Sequence, residues 1–123
     1  MRRYEGSRDN EARPGEVTIV EFGIMENLQG KKLLLPGESQ RLVSHSPDGF
    51  NWSYGGSGPA QLALALLLDA IKHEQPRLSR MEIQGKALLY YQDFKWAFVC
   101  GWGDTWEITS KDIVNWLWKE FGA

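Results

Sequence analysis

The chain has 123 residues, 42% of them apolar and 24% charged, with a formal charge of −2. That length supports one domain with one core, and the near-balanced charge gives no strong pull toward nucleic acid or an anionic membrane. A single cysteine, Cys100, excludes an internal disulfide and removes the case for a secreted, disulfide-stapled scaffold.

In chain order, residues 1–15 are polar and hold Gly6, Pro14 and Gly15. Tyr4 begins a short strand, and Ser7–Gly15 reads as a loop or a partly mobile arm. No apolar signal core follows the opening Met-Arg-Arg-Tyr-Glu-Gly, which gives a cytoplasmic expectation. Glu16–Phe22 is β-branched and is the first clear strand. Val17, Ile19 and Glu21 share one face, with Thr18, Val20 and Phe22 on the other; apolar groups on both faces favour an inner position. Residues 23–32 read as a connection, Leu33–Leu35 as a brief strand halted by Pro36-Gly37, and Arg41–His45 as another strand.

Residues 46–59, Ser-Pro-Asp-Gly-Phe-Asn-Trp-Ser-Tyr-Gly-Gly-Ser-Gly-Pro, form the densest loop of the chain. They open a helix over Ala60–His73 that is apolar nearly all round, with only Gln61, Asp69 and Lys72 as a polar stripe. Such a helix belongs in a core, and it is short of the roughly 20 residues a bilayer needs. Pro59 suits the first helical position, with Ser57 or Gly58 as N-cap. Gln75-Pro76 stops the helix, residues 76–84 connect, and Ala87, Leu88, Tyr91 and Phe94 mark one face of a short helix over Gly85–Phe94. Lys95–Trp102 and Thr105–Thr109 flank Gly103-Asp104 as an antiparallel hairpin, with Cys100 buried in its first strand as an inert thiol. Ser110 caps a last helix whose Ile113, Trp116, Leu117 and Phe121 form one apolar face. Trp96, Trp102, Trp106, Trp116 and Trp118 are expected to supply an aromatic part of the core. The sum is an α+β domain over 1–123, a small antiparallel sheet packed on a buried central helix with a C-terminal amphipathic helix.

The glycine-rich loop is the strongest functional candidate. Free N–H groups and the positive end of a helix dipole make an anion site. Gly55, Gly56 and Gly58 let a ligand approach bare backbone, and the alternating Phe50, Trp52 and Tyr54 put three rings on one side of an extended segment. The expected ligand-binding set is Asn51, Trp52, Tyr54, Gly55, Gly56, Ser57, Gly58 and Gln61, holding a small phosphorylated ligand or a protein segment. The competing reading is that the glycines only cap and pack a core helix. Gly-Gly-Ser-Gly-Pro is neither a P-loop nor a dinucleotide fingerprint. His45 and His73 lack partners at metal-ligand spacing, so no metal, cofactor or catalytic residue is assigned. Two alternatives are a nucleic-acid accessory protein using Arg2-Arg3, and a small hydrolase using His45.

The same loop carries a family resemblance. Ser46 through the Gly-Gly-Ser-Gly-Pro-Ala-Gln-Leu-Ala-Leu-Ala-Leu-Leu run, with Tyr4-Glu-Gly-Ser-Arg8, resembles a small family of uncharacterised domains from phages, plasmids, archaea and bacteria. Weaker matches fall at Tyr91-Gln-Asp-Phe94 and Trp106-Glu-Ile-Thr with Ile113 and Trp116. The resemblance implies Gly commonly at position 53, a mobile-element setting and host cytoplasm. It implies no activity; the association of such small proteins with binding a nucleotide signal or a host defence protein is analogy alone.

Overall fold

The computed structural model describes residues 1–10 and 12–123. Strands β1 (Arg2–Ser7), β2 (Glu16–Phe22) and β3 (Leu28–Leu33) are followed by helices α1 (Gly37–Leu42), α2 (Ser57–Glu74) and α3 (Arg80–Ala97), then strand β4 (Thr105–Thr109) and helix α4 (Ser110–Phe121). The strands form one antiparallel sheet in the order β3-β2-β1-β4. The α+β architecture read from the sequence is the one adopted, with α2 at its centre.

Register explains how the sheet meets the helices. Ile19, Tyr4 and Ile108 pair across β2, β1 and β4, and Val17, Gly6 and Trp106 form the next row. Successive side chains of a strand alternate in face, so these rows share the inner side, where all of them are buried. The other face carries Arg3, Glu5 and Glu107, tied by Arg3–Glu5 (3.4 Å) and Arg3–Glu107 (3.9 Å) contacts. β2 is an inner strand with the bounds its composition predicts.

Helix α2 buries Leu62, Leu64, Leu66, Leu67 and Ile71 completely. Its polar residues are used internally. Asp69 accepts from Tyr4 Oη at 2.6 Å and from Arg2 Nη1 at 2.7 Å, and Arg2 also reaches Glu21 at 2.7 Å, which bolts β1 to the helix. Ser110 Oγ accepts from the Arg2 N–H and donates to Glu74, closing the same network from α4.

Several local expectations are corrected. The strand near Leu33–Leu35 lies earlier, at Leu28–Leu33, and Arg41–His45 is not a strand, because Gly37–Leu42 coils into α1. The hairpin over 95–109 does not form. Lys95–Ala97 finish α3, Val99–Gly101 make a 3₁₀ turn, and β4 pairs with β1 instead. Phe94 and Phe98 pack one helical turn apart against Trp116, at ring separations of 5.5 and 5.6 Å, which rewards helix over strand there. α3 begins at Arg80, ahead of the expected Gly85, because Ser79 and Glu82 form a capping box. Thr109, not Ser110, caps α4, in a second such box with Asp112. Cys100 lies half-buried in the 3₁₀ turn, its thiol donating to the Lys95 carbonyl at 3.0 Å. Trp96 and Trp118 are exposed rather than part of the core. Among the described residues, no helix is long and apolar enough to cross a membrane.

Candidate functional site

The loop between α1 and α2 is organised by a residue outside it. Arg8 follows β1, its side chain is 1% exposed, and its guanidinium joins two distant segments at once. Nε donates to Asp104 (3.0 Å), Nη1 to Asn51 Oδ1 (2.6 Å) and the Trp52 carbonyl (2.7 Å), and Nη2 to Ser53 Oγ (2.6 Å). It also lies 5.0 Å from the Trp52 ring, a cation–π distance. Trp52 is fully buried, with its indole N–H on the Gly103 carbonyl at 2.6 Å. A Cβ on Gly15 would fall 2.1 Å from this ring, so only glycine fits there. Trp106 meets Trp52 edge-on and stacks on Trp102 at 4.0 Å, which ties the loop to the start of β4.

The three rings expected on one side of an extended segment are not so arranged. Phe50 and Trp52 are buried, whereas Tyr54 is 43% exposed. Ser53 has φ +76°, and this left-handed residue breaks the alternation and turns Tyr54 outward. The bend is held from both ends. Ser53 N–H donates to the Val99 carbonyl at 3.1 Å, and its hydroxyl donates to the Trp102 carbonyl while accepting from Arg8.

Three glycines at the start of α2, Gly55, Gly56 and Gly58, each have a ring or side chain closed over them. A Cβ on Gly55 would fall 2.4 Å from Trp96, on Gly56 2.5 Å from Tyr54, and on Gly58 2.8 Å from Asn51 Cβ. Lys95 Nζ, 4.4 Å from the Trp96 ring, donates to the Gly55 carbonyl at 3.2 Å. The N-cap is Gly56 rather than Ser57 or Gly58, so Pro59 occupies the third helical position, and among the described residues no side chain caps the helix. Among the described residues, the Ser57 and Gly58 N–H groups therefore have no capping side chain.

Asn51, Tyr54, Ser57 and Gly58 of the expected set come together around a polar cleft of about 290 Å³, joined by Ser46 and Asp48. Trp52, Gly55, Gly56 and Gln61 do not line it. Gln61 is completely buried. Its Oε1 accepts from the His45 and Ser46 N–H groups at 2.7 and 3.1 Å, and its Nε2 donates to Ser39 Oγ and the Val43 carbonyl. It thus fixes where the loop leaves α1 and where Ser46 enters the cleft wall. His45 Nε2 lies 2.7 Å from the Tyr91 hydroxyl; no serine or cysteine is among its hydrogen-bond partners in the described residues.

Arg8 and Ser53, which hold the loop in shape, are residues that pattern reading passes over. The one signal for Arg8 was that Tyr4–Arg8 belongs to the stretch carrying the sequence resemblance, which marks the segment without saying what its side chains touch. The model of a family of unknown function matches residues 4–119, nearly the whole chain. No curated protein and no solved structure matches.

Proposed function

The chain belongs to the DUF6166 family, a family of unknown function, and we propose that it is a non-enzymatic binding protein whose site is the cleft at the start of α2. The ligand is a small phosphorylated molecule, with its anionic group on the Ser57 and Gly58 N–H groups and its body along Tyr54 and Asn51. One observation carries this reading: among the described residues no side chain caps α2, whose terminus opens on a polar cleft, where uncapped N–H groups and the helix dipole favour an anion. Trp52 and Gln61 hold the walls in place. In the mobile-element setting that the sequence resemblance implies, such a protein would sequester a phosphorylated signal as an anti-defence device.

Ser57→Glu tests it. A carboxylate at the first helical position should raise stability by about 0.3–1 kcal/mol while occupying the anion position, so a co-purifying ligand seen by native mass spectrometry should be lost from a protein that melts higher. Asp48→Asn removes a carboxylate on the rim and should strengthen retention. A folded Ser57→Glu variant that keeps its ligand overturns the reading. A second reading, capture of a protein segment, is favoured by exposed Tyr54 and Trp96 flanking Gly55-Gly56, since rigid exposed aromatics make interface anchors. It predicts a polypeptide mass that Trp96→Ala removes.

A further inference from the structure

We propose that a second site, separate from the loop, lies between α1 and the α2–α3 turn and binds a phosphate monoester with an apolar or planar body. The cleft there is about 580 Å³, within the usual range for small-molecule sites. Its cations are Arg41 from the end of α1, Lys72 from the last turn of α2 and Arg80 from the start of α3; Leu78 and Ile83 supply apolar wall.

Three observations carry the proposal. First, among the described residues none of Arg41, Lys72 and Arg80 is in an ion pair, although the chain as a whole has a charge of −2. Second, Arg80 is the first residue of α3, where a cation opposes the helix dipole. The Ser79–Glu82 capping box already satisfies that terminus, so the arginine brings nothing to the helix itself. A local rule broken without structural gain marks a functional position. Third, among the described lining residues three cations against the carboxylate of Glu38 leave a local excess of two positive charges, which matches a phosphate near its second ionisation. Arginine adds a fork suited to phosphate oxygens. Glu38 is left to accept from a hydroxyl or amino group on the ligand body.

The test is a ¹⁵N-resolved NMR titration with phenyl phosphate, inorganic phosphate and phenol. Phenyl phosphate should shift the amides of Arg41, Lys72, Leu78, Arg80 and Ile83 saturably, inorganic phosphate more weakly, and phenol not at all. Lys72→Glu and Arg80→Glu should each weaken phenyl phosphate by about tenfold. Arg80→Glu also places a favourable charge at the α3 terminus, so it should melt no lower than the parent, and lost binding there is not lost folding. The proposal is overturned if phenyl phosphate at about 10 mM leaves these amides unmoved, or if both reversals leave its affinity unchanged. Equal binding of inorganic phosphate overturns the apolar-body assignment. Shifts confined to residues 46–58 overturn this site and support the loop reading; shifts at this cleft support this site, and the loop stands or falls on Ser57→Glu.

Discussion

Arg8 is the residue on which the loop geometry depends, and its chemistry is specific to arginine. A lysine carries the charge but presents one nitrogen, so it cannot reach Asp104, Asn51, Trp52 and Ser53 together. Arg8→Lys should therefore destabilise by about 3 kcal/mol or more, as for a buried charged group that loses partners, with the loss read in a urea melt. Ser53 offers a cleaner separation of terms. Both Ser53→Gly and Ser53→Ala delete the hydroxyl that joins Arg8 to the Trp102 carbonyl, but only glycine relieves the positive φ. The alanine variant should fall below the glycine variant by about 1 kcal/mol. Equal stabilities would show that the left-handed bend stores no strain.

Among the elements, α2 and β1 are the most constrained. Leu66 is completely buried midway along α2, and Leu66→Ala should cost about 2–5 kcal/mol by transfer and cavity terms. Gly6→Ala should be at least as damaging in its own way. Its Cβ would fall 2.1 Å from the Trp106 indole, which is itself pinned between Trp52 and Trp102, so the ring has nowhere to yield and the cost should exceed about 1 kcal/mol. A thermal melt within error of the parent would mean that the tryptophan cluster can re-pack. These two elements also show what sequence can convey. α2 was legible because thirteen of its residues are buried and their apolar run has one structural meaning. β2 was legible because apolar side chains alternate onto both faces. Lys95–Trp102 misled because aromatic and β-branched residues favour strands locally, while the decisive contact, Phe94 and Phe98 against Trp116, spans some twenty residues. The partner of β4 was equally hidden, since pairing with β1 leaves no signature within either segment. At the site, the loop and its helix could be read directly, but the outward turn of Tyr54 and the inward use of Gln61 follow from Ser53 and α1, which no periodicity encodes.

At the scale of the whole molecule, the network around Asp69 links stability to pH through His73. Burial, the nearby Arg2 charge and the N-terminal ammonium lower its pKa from the usual 6.5, against weaker opposing pulls from Glu74 and Asp69. The folded state thus takes up the proton less readily than the unfolded chain. The resulting stability is fully present above about pH 6.5 and is lost as pH falls toward the folded-state value. The urea midpoint should drop between about pH 7.5 and 5.5, and His73→Gln should flatten that slope. A slope unchanged by the substitution would assign it to other groups.

The strand order has a consequence for synthesis. β1 is made first yet sits between β2 and β4, so one of its edges waits until residues 105–109 exist. Until then the apolar side of α2 that α4 covers is also bare, and an unpaired strand edge beside exposed leucines is a template for aggregation. β1, β2 and β3 can pair in turn as they are made, but the sheet and its helical cover close only when the last strand and α4 arrive, so a product cut short after residue 104 should be found in inclusion bodies or as proteolytic fragments rather than as a smaller working protein.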